Sequence, residues 1–315
     1  MPAAIAHRIF ADLYLSSCPY PDLARIGSEG PDPFMAYGMI PFRKRNDMGE
    51  VMPWGGLMHN THLSLAYGKM IAYAASLEGE EKKKCFSYLY GLLSHFALDR
   101  AVHPYVFYRS GFDENGKYGG IYVFYHGYFE SLMDRALAEK HHYPVSSFKA
   151  LPKLSKEDGI LLSKLWMAGS SMPLKDDSFY ESYLDFRLIM RILASRHGIK
   201  RKLIRKIMGK TSKPYSLMMP PSLKPYESLD VLNEKKMTWR DPTTEERFDD
   251  SLEERYKKAS LDLPMIEDIL QKGEQGEDVA SLLDELERNN DHDGGIYGQK
   301  KHVCDICLTS LPFEL

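Results

Sequence analysis

The run Leu92-Leu-Ser-His95-Phe-Ala-Leu-Asp99-Arg-Ala-Val-His103-Pro104 places His95, Asp99 and His103 at positions i, i+4 and i+8. On a helix turning 100° per residue, all three stay within an arc of about 80°. Leu92, Leu93, Phe96 and Leu98 surround them, which predicts a buried helix. Buried ionisable groups are costly unless they are paired or bind a metal. Pro104 predicts a kink or an end just past His103, turning that residue toward a separate ion. A second run, Phe124-Tyr-His126-Gly-Tyr-Phe-Glu130-Ser-Leu-Met-Asp134, repeats the i, i+4 spacing in His126 and Glu130, a bidentate scaffold for zinc. Asp134 lies one turn further on, as an orienter of His126 or as a surface ion-pairing acid. A third run, Trp54-Gly-Gly-Leu-Met-His59-Asn-Thr-His62, brings a histidine at the start of a helix toward the other two, with His59 preferred and His62 in reserve. His7, and Asp32 within the stiff Pro31-Asp32-Pro33, are further candidates upstream.

A single buried histidine is ordinarily a hydrogen-bonded core residue, and one His-x-x-x-Asp pair arises readily by chance. Here two ligand runs, 27 residues apart from Asp99 to His126, both fall inside apolar helices. Their convergence points to a metal. Nitrogen and carboxylate donors without cysteine suit catalytic rather than structural zinc.

The elements that must carry these residues read as helices almost throughout. Helical patterns span Pro2 to Leu15, Met58 to Ser76, Glu80 to about Tyr108, Tyr122 to about His142, Lys156 to Met167 and Asp177 to Arg196. Ile121 to Tyr125 also has strand propensity. Thr243 to Lys272 and Glu277 to Asn289 complete the set. Residues 18–56, 111–120, 143–155 and 213–224 are rich in proline, glycine or serine and read as loops. Lys200 to Lys210 holds six Lys and Arg around Leu203, Ile204 and Ile207, as a solvated face or as a helix for a membrane surface or an anionic ligand. No sheet is expected: the fold class is all-α. One domain over 1–289, with a metal core in 1–142 and a helical elaboration in 143–289, is favoured over two. Residues 289–295 read as a flexible linker, and 290–315 as a tail.

Composition excludes the other broad classes. Of the 315 residues, 43% are hydrophobic and 12% aromatic, which rules out a disordered chain. Net charge is 41 − 44 = −3, which offers no global field for nucleic acid. No run is apolar enough to span a bilayer and the first residues do not form a secretory signal, so a cytoplasmic location is expected. The four cysteines are too scattered for a disulfide framework. Cys304-Asp-Ile-Cys307, with His302, reads as a solvated tail, or as a metal or redox site. Eight of the eleven histidines fall within the first 142 residues.

These motifs together resemble the bacterial zinc-dependent phospholipase C family, which shares an all-α fold with single-strand-specific zinc nucleases. The resemblance runs through His7, Pro-Asp32-Pro-Phe, Met-His59, His95-x-x-x-Asp99-x-x-x-His103-Pro and His126-x-x-x-Glu130. Weaker support comes from Trp239-x-x-Pro242 and the stretch from Ser251 to Ala259. It implies two or three zinc ions that cleave phosphate esters. Asp32, His59, His95 and Asp99 would hold one ion and His103, His126 and Glu130 a second. His7 and a bridging Asp99 would hold a third. Asp32 and Glu130 are the implied catalytic residues, Asp32 as general base. The implied partner is a phosphate ester, a phospholipid among the candidates. A nuclease using Tyr105, Phe107, Tyr108, Tyr122, Phe124 and Tyr125 as stacking platforms, and a metal-binding protein without catalysis, are the competing readings.

Overall fold

A computed structural model of the chain describes residues 4–295 apart from 16, 41, 44, 114, 118, 145–150, 170–173, 196, 289 and 293. The Cys304/Cys307 motif lies outside the described residues. The fold is all-α, with one antiparallel pair of two-residue strands among the described residues. The buried apolar side chains from Ala4 to Leu286 form one continuous cluster.

Its spine is α6 (Gly79–Ser110), 32 residues or about 48 Å of helix. Of the kink or end expected at Pro104, the end does not occur: the helix runs on to Ser110, near the expected limit at about Tyr108. The turns beyond are locked by burial, with Tyr105, Val106 and Phe107 at most 3% exposed. These contacts outweigh the one backbone bond that proline removes. Packed on α6 are α2 (Pro21–Gly27), α5 (Leu63–Ala75), α7 (Ile121–Lys140), α12 (Leu252–Ser260) and α13 (Leu263–Glu274). The N-terminal α1 (Ala4–Tyr14) lies against both α6 and α7. Where α2 crosses α6, a Cβ on Gly27 would fall 2.1 Å from the Tyr88 carbonyl, and one on Gly91 would fall 1.9 Å from the Ala24 carbonyl. The two backbones therefore touch, and the residues following α2 are laid across α6 at the level of His95.

Several boundaries depart from the sequence reading. Residues 18–56 are not all loop: they contain α2, a 3-10 turn at Asp32–Ala36, α3 (Met48–Val51) and α4 (Pro53–Met58). Pro21, Pro33 and Pro53 occupy first-turn positions, where the missing N–H is no loss and the fixed φ suits a helix. The helix expected from Met58 to Ser76 is broken at residues 59–62. There Asn60 and Thr61 side chains donate to the Gly56 and Leu57 carbonyls at 2.9 Å and end α4. Ile121–Tyr125 is the first turn of α7, tertiary packing overriding its strand propensity.

In the second half, α8 (Lys156–Gly169) and α9 (Ser178–Leu193) match expectation, and α10 covers Ile199–Met208. The expected loop 213–224 holds a single turn, α11 (Lys213–Ser216). The helix expected from Thr243 to Lys272 is replaced at its start by a hairpin, β1 (Trp239–Arg240) with β2 (Arg247–Phe248). Its loop is tied by Asp241 Oδ1, which accepts from the Thr243 and Thr244 amides at 2.7 and 3.0 Å. The helical part starts later, where Ser251 and Glu254 form a capping box for α12. Last comes α14 (Ala280–Glu287).

Candidate metal centre

Eight predicted residues and one unforeseen one come together where α1, α6 and α7 meet. α6 supplies His95, Asp99 and His103, α7 supplies His126 and Glu130, and α1 supplies His7. The 3-10 turn after α2 supplies Asp32, and the C-terminus of α4 supplies His59. Asp99 sits at the hub. Its Oδ1 is 3.1 Å from His7 Nε2, and its Oδ2 is 3.0 Å from His95 Nε2 and 3.8 Å from both His59 Nε2 and His103 Nδ1. Asp32 Oδ1 lies 3.4 Å from His59 Nε2. On the other side, Glu130 Oε1 lies 3.2 Å from His126 Nε2 and 3.5 Å from His103 Nε2.

Two sets of converging donor atoms result. One atom from each of His59, His95, Asp99 and His292 lies within 4.8 Å of the others, and the same holds for His103, His126 and Glu130. His292 was read as part of a flexible linker. Instead it is fully buried, its ring 5.1 Å from that of His59 and 5.8 Å from that of His95. The turn around it is closed by bonds from Gly294 N to Asp291 O and from Asp291 N to Gly295 O, and its own amide donates to the His59 carbonyl. A histidine between Asn-Asn-Asp and Asp-Gly-Gly was the available signal, since Asx and Gly residues build tight turns as readily as linkers.

The ring nitrogens are oriented by backbone. His59 Nδ1 faces the Gly55 carbonyl, His95 Nδ1 the Ser28 carbonyl at 3.0 Å, and His103 Nδ1 the His292 carbonyl at 3.2 Å. A proton held on Nδ1 by a carbonyl leaves the Nε2 lone pair to face the cluster, the arrangement of a metal-ligating imidazole. Burial alone would raise the Asp99 carboxyl, but His103, His95 and His7 hold it well below its usual range. Glu130 is also held well below its usual range, against burial, by His126 and His103, and Asp32 is lowered by His59 and His95.

The site is closed on most sides. Side chains of His59, His103 and His126 are 11–12% exposed and mark where solvent reaches it, whereas His95 is sealed. A cavity of about 10 Å³ lies between His7, Asp99, His103 and Glu130. That is the room one water or one ion takes.

Other sequence candidates lie elsewhere. Asp134 neither orients His126 nor sits at the surface. It is buried and accepts from the Ile5 and Ala6 amides at 3.3 and 2.9 Å, anchoring the first turn of α1 and with it His7. His62 pairs with Glu287 at the start of α5, and His141 ends α7. Tyr105, Phe107, Tyr108 and Phe124 are core residues, leaving Tyr122 and Tyr125 half-exposed.

A family model described as zinc dependent phospholipase C matches residues 1–168, more than half of the chain. This chain belongs to the zinc-dependent phospholipase C family. No curated protein and no solved structure matches it. The matched region of this phospholipase C family member contains every site residue described above except His292. Its donor set fits zinc. Three buried carboxylates face imidazole nitrogens, and Glu130 Oε2 and His7 Nδ1 are buried without a hydrogen bond among the described residues. Such groups are costly to bury unless something binds them.

Proposed function

We propose that the chain is a zinc-dependent phosphodiester hydrolase of the phospholipase C type, with a phospholipid as the favoured substrate class. The observation that carries this reading is the pair of adjacent donor sets sharing a wall, His59/His95/Asp99/His292 and His103/His126/Glu130. Two ions are assigned to these sets. A third position falls to His7 and Asp99, beside the small cavity. Residues 1–289 are read as one domain, with 143–289 elaborating the core.

Zinc bound there supplies a water acidified to a pKa of about 7 and a Lewis acid for phosphoryl oxygens. The protein's own part is to hold charge and move a proton. Asp32 is presented by a proline-flanked turn at the edge of the first set and takes the proton of the attacking water. The new bond joins that oxygen to phosphorus as the alkoxide leaves in line and takes a proton from solvent, to which Asp32 returns its own, giving an alcohol and a phosphomonoester. Glu130 fixes His103 and His126 on the opposite wall.

The test is elemental analysis followed by hydrolysis of bis-p-nitrophenyl phosphate with and without chelator. Two or three zincs per chain and chelator-sensitive turnover are expected. Asp32→Asn and Glu130→Gln should each abolish turnover. Full activity in zinc-loaded Asp32→Asn would refute the base role, and zinc without turnover on any phosphodiester would refute the enzyme.

A further inference from the structure

Helix α10 (Ile199–Met208) is built inside out. At 100° per residue, Ile199, Leu203 and Ile207 fall within one arc of about 80°, and they are 72%, 54% and 70% exposed. The side turned to the protein is led by a cation instead: Arg201 is only 8% exposed. Its guanidinium lies 4.4 Å over the Tyr215 ring and donates to Tyr128 Oη at 2.9 Å and to the Met218 carbonyl at 3.2 Å. A water-facing helix ordinarily does the reverse, burying its aliphatic stripe. The exposed stripe is bordered by Lys200 on one flank and by Lys202 and Lys206 on the other. Residues 200–210 carry six Lys and Arg and no acid, in a chain whose net charge is −3.

We infer that α10 is a docking surface for an anionic phospholipid bilayer. An apolar stripe flanked by lysines suits a helix lying in the membrane interface, its aliphatic side chains in the acyl boundary and its ammonium groups at the headgroups. The positive charge is complementary to an acidic leaflet. The attachment is also stiff: Tyr128, which anchors Arg201, lies on α7 midway between His126 and Glu130. Docking through α10 therefore fixes the orientation of the helix that carries two of the three donors of the second set, His126 and Glu130.

The test reads binding without turnover, so it is separate from the hydrolase assay. The full zinc-loaded chain is sedimented with vesicles of phosphatidylcholine alone, and with vesicles of three parts phosphatidylcholine to one part phosphatidylserine, at low and high salt. Binding to the mixed vesicles only, weakened by salt, is expected. Leu203→Asp with Ile207→Asp should lower it more than tenfold with an unchanged thermal melt. Lys202→Gln with Lys206→Gln should lower it about fivefold per lysine removed. Absence of binding to the acidic vesicles, or full binding by the double Asp variant, overturns the proposal. A wild-type dimer that the double Asp variant converts to monomer overturns it too, in favour of a protein interface.

Discussion

Gly30 offers a way to strike the first donor set without touching a donor. It has φ +58°, and a Cβ added there would fall 2.3 Å from His95 Cδ2 and 2.4 Å from its Nε2. The ring has nowhere to retreat. Its Nδ1 is tied to the Ser28 carbonyl at 3.0 Å, its face stacks on His7 at 4.4 Å, and it is sealed from solvent. Gly30→Ala thus carries two costs. Left-handed backbone strain is about 1–2 kcal/mol for a residue with a Cβ. Displacing an oriented histidine should lower zinc affinity about 10–100-fold, as losses of orienting partners do, or roughly 1.4–2.8 kcal/mol. Gly79 separates the two costs, because its φ is +56° and nothing lies within 4 Å of the position its Cβ would take. Gly79→Ala should show the strain in chemical denaturation of the zinc-free chain and bind zinc normally. Gly30→Ala should show the strain and also lose affinity for one class of zinc, measured by competition with a chromogenic chelator. The His103/His126/Glu130 set, on the other wall, should keep its ion. Wild-type zinc affinity and stoichiometry in Gly30→Ala would refute the placement of His95 as a ligand.

Three further outcomes follow from the geometry. His292→Ala should weaken zinc binding by the first set by more than the about 10–100-fold typical of an orienting residue, read by equilibrium dialysis; unchanged binding would return His292 to a packing role. Asp134→Ala strands the buried Ile5 and Ala6 amides and should cost about 1–3 kcal/mol in urea denaturation, and a loss below 0.5 kcal/mol would show that α1 is held by its apolar face alone. Burial pushes the Cys85 thiol up from 9.0 to about 12, with Glu81 adding to it. The folded state therefore favours the neutral thiol: that contribution is intact below pH 9 and is lost as pH rises from there toward about 12. Peptide-resolved alkylation at pH 8 should leave Cys85 unmodified until the chain unfolds, and rapid native labelling would contradict its burial.

The sequence made the long helices legible because each buries an apolar face with one period. α6 to α9 came close to their expected spans for that reason. Short elements escaped because proline has two meanings. At Pro21, Pro33 and Pro53 it starts a turn of helix, whereas the same residues read as loop punctuation along a chain. Pro104 shows the converse. Local chemistry argued for a kink or an end just past His103, while the burial of Tyr105, Val106 and Phe107, a long-range property, keeps the helix going. The hairpin at Trp239–Phe248 was hidden similarly. Its register follows from Asp241 closing a loop, while the flanking residues have no alternation longer than two.

Within the site, spacing on α6 and α7 exposed the pairs that share a helix face, but spacing cannot show which ring nitrogen faces inward. That is decided by the carbonyls of Gly55, Ser28 and His292, and a carbonyl is the same group on every residue type. The two sets thus depend on backbone at three remote places: α4 for His59, the turn after α2 for His95 and the turn around His292 for His103. The last is pinned directly, since a Cβ on Gly294 would fall 2.6 Å from Pro104 Cγ and 2.8 Å from the Arg100 carbonyl. Arg100 O is the carbonyl that Pro104, lacking an N–H, leaves without its helical partner. The proline expected to kink or end the helix instead makes room beside α6 for the turn that delivers His292, joining the far half of the chain to the metal centre.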